Sequence, residues 1–321
     1  MTTDGAPRVI FVHNPRTGGI TLRNALRRQF RTAPLYIPRD PATQVTERET
    51  RVAARRANPG ADEVAITHAL QAKNNLARVR DHNLPYVHGL RAAWPDWYTE
   101  MPLLQDHIWF GLHEHLPGDS TYITLIRDPV ERAVSIYFHH RRAGRIHRSL
   151  EEYLRSVDFM RDNGQTLRVS GGSYGFDCPP ELLGTAKRNL VGHFAWVGVT
   201  ERFAESVVLL RRTFGWRPLY FRHQNAAPRT AASRLSPDLV DMVRERNQLD
   251  VELHRFALEL LQERLAADPG HAAELAQFER MNPAMGHVVG WRTRARDARI
   301  RVKGRIASVL GVSGPRETAR T

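Results

Sequence analysis

The fold is decided by Arg8-Val-Ile-Phe-Val12, followed by His13-Asn-Pro-Arg-Thr-Gly-Gly19 and then by Leu22, Ala25, Leu26 and Phe30 at helical spacing. A short apolar run of this kind is typical of a strand buried on both faces. The turn with its glycine pair and the i, i+3, i+4 spacing that follows read as loop and helix, with Arg23, Arg27 and Arg28 on the other faces. Working outward, the pattern recurs. Tyr122 to Ile126 is a second strand, and Arg127-Asp128-Pro129 ends it with a helix N-cap and a proline at the first helical position. Val130, Ala133, Val134, Tyr137 and Phe138 then form the buried stripe of a helix. A third unit runs from Phe194 to Val199, through a candidate N-cap at Thr200, into a helix carrying Phe203, Val207, Leu210 and Phe214. Ser236-Pro237 opens a last helical region with Leu239, Val243, Leu253, Phe256 and Leu260. Strands alternating with helices predict an α/β fold with a central parallel sheet flanked by helices.

The chain has 321 residues, 41% of them hydrophobic and 25% charged, a make-up that excludes disorder over most of its length. Its net charge of +13 implies an attraction to polyanions, nucleotides, acidic glycans or anionic membranes without choosing among them. No nucleic-acid-binding module is recognisable, so no specific nucleic-acid partner is expected. A single cysteine, Cys178, excludes an internal disulfide and a zinc site built on cysteine pairs. It reads as a small packed side chain in a reducing compartment. No apolar run approaches the roughly 18 residues of a membrane span, and the polar start, Met1 to Arg8, does not read as a signal peptide. A cytoplasmic setting is therefore expected.

One domain over 1–280 is predicted, with 40–110 as a helical and loop insertion on the acceptor side, followed by a basic tail over 281–321. From Trp291 to Thr321, eight Arg and one Lys against Asp297 and Glu317 give +7. Two readings of this tail stay open: a solvated basic segment, or a basic amphipathic helix making peripheral contact with an anionic membrane through Ile300, Val302, Ile306, Val309 and Leu310.

A strand that feeds a Gly-Gly turn into a helix gathers backbone N–H groups and the positive helix end at one point, which suits phosphate or sulfate. Arg16 adds a fixed charge, Thr17 and Thr21 add hydroxyls, and Gly18 and Gly19 permit close approach. The nucleoside-triphosphatase pattern G-x-x-x-x-G-K-[ST] is absent, which disfavours an ATP-using enzyme. At the second strand end, Arg127 and, eight residues on, Ser135 supply a second guanidinium and hydroxyl. A plain turn after the first strand, and a local ion pair of Arg127 with Asp128 or Glu131, would give the same residues. Together the two turns suit a ligand with phosphates at two ends.

Phe11 to Leu22 (FVHNPRTGGITL) and Tyr122 to Tyr137 (YITLIRDPVERAVSIY) resemble the two signatures of carbohydrate sulfotransferases related to heparan sulfate and uronyl 2-O-sulfotransferases. Phe110 to Pro117, Asn163 to Arg168, Val197 to Phe203 and Asn247 to Asp250 are similar to bacterial-type members, so the resemblance covers about residues 8 to 266 in order. It implies a P-loop-like three-layer fold and transfer of a sulfuryl group from 3′-phosphoadenosine 5′-phosphosulfate (PAPS) to a hydroxyl of a carbohydrate, glycosylated small molecule or glycolipid. No metal is required, since side-chain cations and loop amides can neutralise the leaving phosphate. The 5′ side of the donor would sit on Arg16, Thr17, Gly18, Gly19 and Thr21, and the 3′ phosphate on Arg127 and Ser135. Arg16 stands where the family has Lys, which leaves bisphosphate binding with lost or weak turnover as an alternative. His107 falls on the position of the family's catalytic base, with His113 as second choice.

Overall fold

The structure, a computed structural model, describes residues 7–30, 56, 83–95, 98–156, 162–172, 178–222 and 234–288. The expectations for residues 40–82 and for the tail from Trp291 thus lie outside the described residues, apart from position 56.

Four strands form one all-parallel sheet: β1 (Arg8–Val12), β2 (Leu103–Asp106), β3 (Ser120–Ile126) and β4 (Phe194–Val199), in the order β2-β1-β3-β4. The three expected strands form where the apolar runs lie. Strand β2 was not predicted. It falls inside the expected insertion of 40–110 and pairs with β1, Val9 against Leu103 through Val12 against Asp106. Helix α2 (Leu84–Ala93) in the same span buries Tyr86, Val87 and Leu90 in the main core. From residue 83 onward that stretch belongs largely to the body of the fold rather than to a cap.

The remaining helices follow the sequence pattern with few departures. Helix α1 (Gly19–Gln29) turns Leu22, Ala25 and Leu26 inward. Helix α3 (Pro129–Arg142) starts at the expected cap, where the Asp128 carboxylate accepts from the Glu131 N–H at 2.9 Å. Short helices α4 (Leu150–Arg155) and α5 (Gly164–Ser170) and the longer α6 (Glu181–Gly192) lead to β4, and α7 (Phe203–Phe214) follows it. Thr200 does not cap α7: it opens a short 3-10 turn, Thr200–Arg202, and its hydroxyl is used elsewhere. The last predicted helical region is two helices, α8 (Pro237–Arg246) and α9 (Gln248–Ala266), separated at Asn247. The inward face of α9 carries Leu253, Ala257 and Leu261, while Phe256 and Leu260 are only partly buried. A further helical run covers 271–288, anchored by buried His271 and Phe278.

Two apolar clusters hold these elements. The main one is built on the strands, with Trp196, Phe11, Ile10, Leu22 and Leu26 fully buried. A second joins α3, α4 and α8 through Val130, Ile136, Tyr137, Tyr153, Leu154, Leu239 and Val243. Burying a side chain of this size contributes roughly 1.5–3 kcal/mol. The apolar residues of helix α3 belong to this second cluster, while its buried Arg132 donates to the Pro15 carbonyl at 3.1 Å. In the strand order, the connections leaving β1 and β3 diverge between those two central strands. A crevice at their carboxyl ends is where open parallel sheets bind ligands.

Candidate active site

All four strands deliver a motif residue at their carboxyl ends. Strand β1 leads into His13–Gly18, β2 into His107, β3 into Arg127 and β4 into Thr200. Because Val12 pairs with Asp106 on one side and with Thr124 on the other, the residues just beyond these positions are brought side by side.

The first turn is held from beneath by polar contacts. Asn14 Nδ2 donates to Thr124 Oγ1 at 3.1 Å and to Leu125 O at 3.2 Å, and Thr17 Oγ1 donates to Asn14 O at 2.9 Å. Thr200 Oγ1 is placed between Thr17 O at 2.8 Å and Ile126 O at 3.1 Å, tying the turn to β3 and β4. The backbone turns through left-handed conformations at Arg16 (φ 69) and Gly18 (φ 84). For Arg16, which is not glycine, such a conformation costs on the order of 1 kcal/mol or more and persists because the surroundings impose it. Helix α1 has no acidic residue in its first turn and no side-chain cap, so its own first turn brings no carboxylate to its positive end. Gly19 is required by contact: a Cβ there would lie 2.0 Å from the His13 ring.

The structure brings Arg16, Arg127 and Ser135 together. Arg16 Nε donates to Ser135 Oγ at 3.1 Å, and Arg127 Nη1 donates to the Arg16 carbonyl at 3.0 Å. Arg127 Nη2 also pairs with Glu131 at 3.1 Å, as its plain structural reading anticipated. Its Nε is buried without a hydrogen-bond acceptor, 4.0 Å from Glu201 Oε1. Ser135 is 1% exposed and lies against Arg16, so it lines the floor of the site rather than its surface. Thr17 and Thr21 are buried as well, whereas Gly18 is partly exposed. Burial, then repulsion from Arg142 and Arg127, pushes the Arg16 guanidinium down to about 10, which still leaves it charged at neutral pH. Crowded like charges around a helix N-terminus are the electrostatic signature of an anion site.

His107 is oriented by the turn itself. Its Nδ1 lies 3.0 Å from the His13 carbonyl, which can only accept. Nδ1 therefore carries the proton, and in the neutral ring the lone pair is on Nε2. The His13 ring stacks on His107 with centroids 4.5 Å apart. His13 is buried and held well below the ordinary histidine range by that burial and then by the charges of His107, Arg23, Arg168 and Arg16. Asp106 Oδ1 accepts from the His107 backbone N–H at 2.6 Å, fixing the start of the segment that follows β2. Arg168 donates to the carbonyls of His107 and Ile108 and lies 4.8 Å over the Trp109 ring. His113 is placed elsewhere. Its Nδ1 lies 2.8 Å from the hydroxyl of Tyr122, which sits four residues before the carboxyl end of β3, roughly 13 Å back along the strand. Cys178 has its thiol pushed up to about 12 by burial first, which suits a packed side chain and not a nucleophile.

Sequence reasoning missed the supports behind these groups. Gln165 clamps the Arg127 backbone at two points, its Oε1 accepting from Arg127 N at 2.9 Å and its Nε2 donating to Arg127 O at 2.8 Å. Fully buried Asp250 then holds α5, accepting from Gln165 N at 3.1 Å, Thr166 N at 2.7 Å and Thr166 Oγ1 at 2.8 Å. Arg132, 1% exposed, lies 3.7 Å from Asp250 and donates to the Pro15 carbonyl at 3.1 Å, linking this network to the first turn. Gln165 and Asp250 stand in stretches that match the family pattern, but their roles depend on partners up to 85 residues away. Among the described residues no cluster of three or more His, Cys, Asp or Glu could hold a metal ion, and no helix is long and apolar enough to cross a membrane.

The galactose-3-O-sulfotransferase family profile matches residues 64–279, which leaves the first turn outside the match. Heparan-sulfate 6-O-sulfotransferase 1 of Mus musculus is 27% identical over 214 residues, 55% of this chain and 51% of that protein. Heparan-sulfate 6-O-sulfotransferase 2 of Danio rerio is 28% identical over 268 residues, covering 70% and 53%. Galactose-3-O-sulfotransferase 2 of Homo sapiens is 26% identical over 198 residues, covering 56% and 50%. The chain thus spans about half the length of these relatives, whose names specify 6-O and 3-O transfer where the motif resemblance suggested 2-O enzymes. With its matched region covering β2, β3, β4 and the helices between them, the chain belongs to the galactose-3-O-sulfotransferase family of carbohydrate sulfotransferases.

Proposed function

We propose that the protein transfers a sulfuryl group from PAPS to a carbohydrate hydroxyl. The observation that carries this reading is the convergence of Arg16, Arg127 and Ser135, from two separate strand ends, on the uncapped start of α1. Such a site fits a nucleotide with phosphates at both 3′ and 5′ positions. The turn from Arg16 to Gly19 and Thr21 would hold the 5′ side, and Arg127 with Ser135 the 3′ phosphate. Accepting from Arg16 leaves the Ser135 hydroxyl its own proton to donate. Buried Arg127 Nε, which has no acceptor within hydrogen-bond distance, is a second donor suited to a phosphate oxygen.

The donor supplies an activated sulfuryl group and is left as a 3′,5′-bisphosphate. The chain's residues account for the rest. His107 receives the acceptor hydroxyl proton at Nε2, the nitrogen left basic by the Nδ1–H bond to His13 O. Arg16 and the N–H groups at the start of α1 offset the negative charge that gathers on the departing phosphate. The stacked, buried and neutral His13 ring keeps His107 in place without adding a like charge beside the imidazolium that forms. His107→Gln is expected to lower turnover by about 10²–10⁴-fold while sparing nucleotide affinity.

Calorimetric titration with adenosine 3′,5′-bisphosphate, adenosine 5′-monophosphate and ATP tests the reading. A strong preference for the bisphosphate supports it, and equal affinities overturn it. Bisphosphate binding without turnover is a second reading, favoured by Arg16 in place of Lys. A rate increase in Arg16→Lys would show that the native arginine is a handicap and that the scaffold is otherwise competent. We also propose a cytoplasmic setting and, through the basic segment 291–321, contact with anionic lipid that would suit a glycolipid acceptor.

A further inference from the structure

The guanidinium of Arg127 is engaged unevenly. Nη1 donates to the Arg16 carbonyl at 3.0 Å and Nη2 to Glu131 Oε2 at 3.1 Å, so both terminal nitrogens have acceptors within the chain. Nε is buried without one, and Glu201 Oε1 stops 4.0 Å from it. At that separation the charges attract but no hydrogen bond forms. The gap is held open from the far side. Glu201, in the 3-10 turn after β4, accepts from the Asp128 N–H at Oε1, 3.1 Å, and its Oε2 lies 3.1 Å from His254 Nε2. An ionised carboxylate only accepts, so His254 Nε2 carries the proton. Burial works to raise the Glu201 carboxyl, but the hydrogen bond and charge of His254, with backbone N–H groups, outweigh it and leave the group below the usual carboxylate range and ionised at neutral pH. His254 is itself fixed on α9, whose flanking Leu253 and Ala257 are buried in the main core. A carboxylate so close to an unsatisfied guanidinium nitrogen would close on it to form a charge-assisted hydrogen bond if its second oxygen were not taken.

We propose that His254 is a positioning residue for the donor site: by tethering Glu201, it keeps Arg127 Nε open to a phosphate oxygen that the carboxylate would otherwise displace. The inference rests on the assignment of the 3′ phosphate to Arg127. Glu201 then has a defined sign. Its charge opposes the phosphate, and the tether limits that opposition. Donor and bisphosphate product both carry the 3′ phosphate, so the pair sets how tightly each is held.

The test measures, by calorimetry on the full chain, affinities for adenosine 3′,5′-bisphosphate and adenosine 5′-monophosphate in the wild type, His254→Leu, His254→Gln, Glu201→Gln and the double variant Glu201→Gln/His254→Leu. His254→Leu releases the carboxylate and is expected to weaken bisphosphate binding about fivefold or more, the scale of one hydrogen bond to a charged group, with monophosphate binding unchanged. His254→Gln, whose amide can donate to Glu201, is expected to restore most of the loss. Glu201→Gln keeps an acceptor for the Asp128 N–H and removes the charge, so bisphosphate affinity should rise above wild type. In that background His254→Leu should change it by less than about twofold. A loss of the same size in both backgrounds, or one shared by the monophosphate, marks a general structural role and overturns the inference. Unchanged bisphosphate affinity in His254→Leu overturns it as well. Should that variant fail to fold, Glu201→Gln decides alone: an affinity at or below wild type overturns the inference. A wild type without preference for the bisphosphate defeats the donor reading and this inference with it, whereas a wild-type preference that no variant alters defeats the inference alone.

Discussion

Replacing Asp250 by Asn keeps the size of the side chain and removes one negative charge at a site with no solvent to compensate. Asp250 is 0% exposed and Arg132, 3.7 Å away, is 1% exposed, so the substitution removes a buried carboxylate charge that faces a buried guanidinium. The carboxylate also accepts from Gln165 N, Gln165 Nε2, Thr166 N and Thr166 Oγ1, and the new amide nitrogen must face one pair of these donors. Breaking one partner of a buried ion pair costs about 3–5 kcal/mol, a large share of the roughly 5–15 kcal/mol by which a native protein is stable. With a urea m-value of about 3 kcal/mol/M, the unfolding midpoint is expected to fall by about 1–1.7 M. Because Asp250 positions Gln165, and Gln165 holds both backbone groups of Arg127, affinity for adenosine 3′,5′-bisphosphate should fall in the same variant under native conditions. Arg132→Met in the Asp250→Asn background should cost less than the sum of the single changes, since the two residues share one network. A midpoint shift below about 0.2 M, equivalent to the ±0.5 kcal/mol of an ordinary surface change, would refute the assignment of a structural charge pair here.

Gly19→Ala places a Cβ against the His13 ring and is expected to destabilise the chain by about 1–3 kcal/mol, with bisphosphate affinity lost as the turn shifts; calorimetry and urea unfolding read both. His13 is neutral when folded and titrates near pH 6.5 when unfolded. Its folded value being lowered, the unfolded chain binds the extra proton, and stability falls as pH drops below about 6.5, by at most about 1.4 kcal/mol per pH unit for this group. The pH dependence of the urea midpoint between pH 7.5 and 5.5 should be shallower in His13→Phe, which keeps an aromatic ring and cannot take a proton. Deleting residues 291–321 is expected to abolish binding to vesicles containing anionic lipid while leaving bisphosphate affinity unchanged; vesicle binding that survives the deletion removes the tail from that role.

Much of the fold is written locally. The apolar runs Arg8–Val12, Tyr122–Ile126 and Phe194–Val199 became strands because each is short, β-branched or aromatic, and punctuated by turn residues. Asp128-Pro129 became a capped helix start for equally local reasons. Strand β2 was hidden because Leu103-Leu-Gln-Asp106 is four residues long, too short for a period to show, and is stabilised by pairing with β1. The break between α8 and α9 was hidden because Asn247 is a weak helix breaker whose side chain and backbone are taken up by Asn163 and Val243 in the folded chain.

The sequence by itself determined which residue types gather at the two turns: a guanidinium, hydroxyls and a glycine pair before one helix, and a second guanidinium before another. Those features depend on neighbours in the chain, and neighbours are visible in order. Only the tertiary structure decided that Arg16 rests on Ser135, that His107 takes its proton position from the His13 carbonyl, and that His113 lies away from the site. It also decided that Asp250, Gln165 and Arg132 support the Arg127 backbone and the first turn. Each of these is a contact between residues distant in sequence, fixed by strand register and by the burial of polar groups that must find partners once water is excluded.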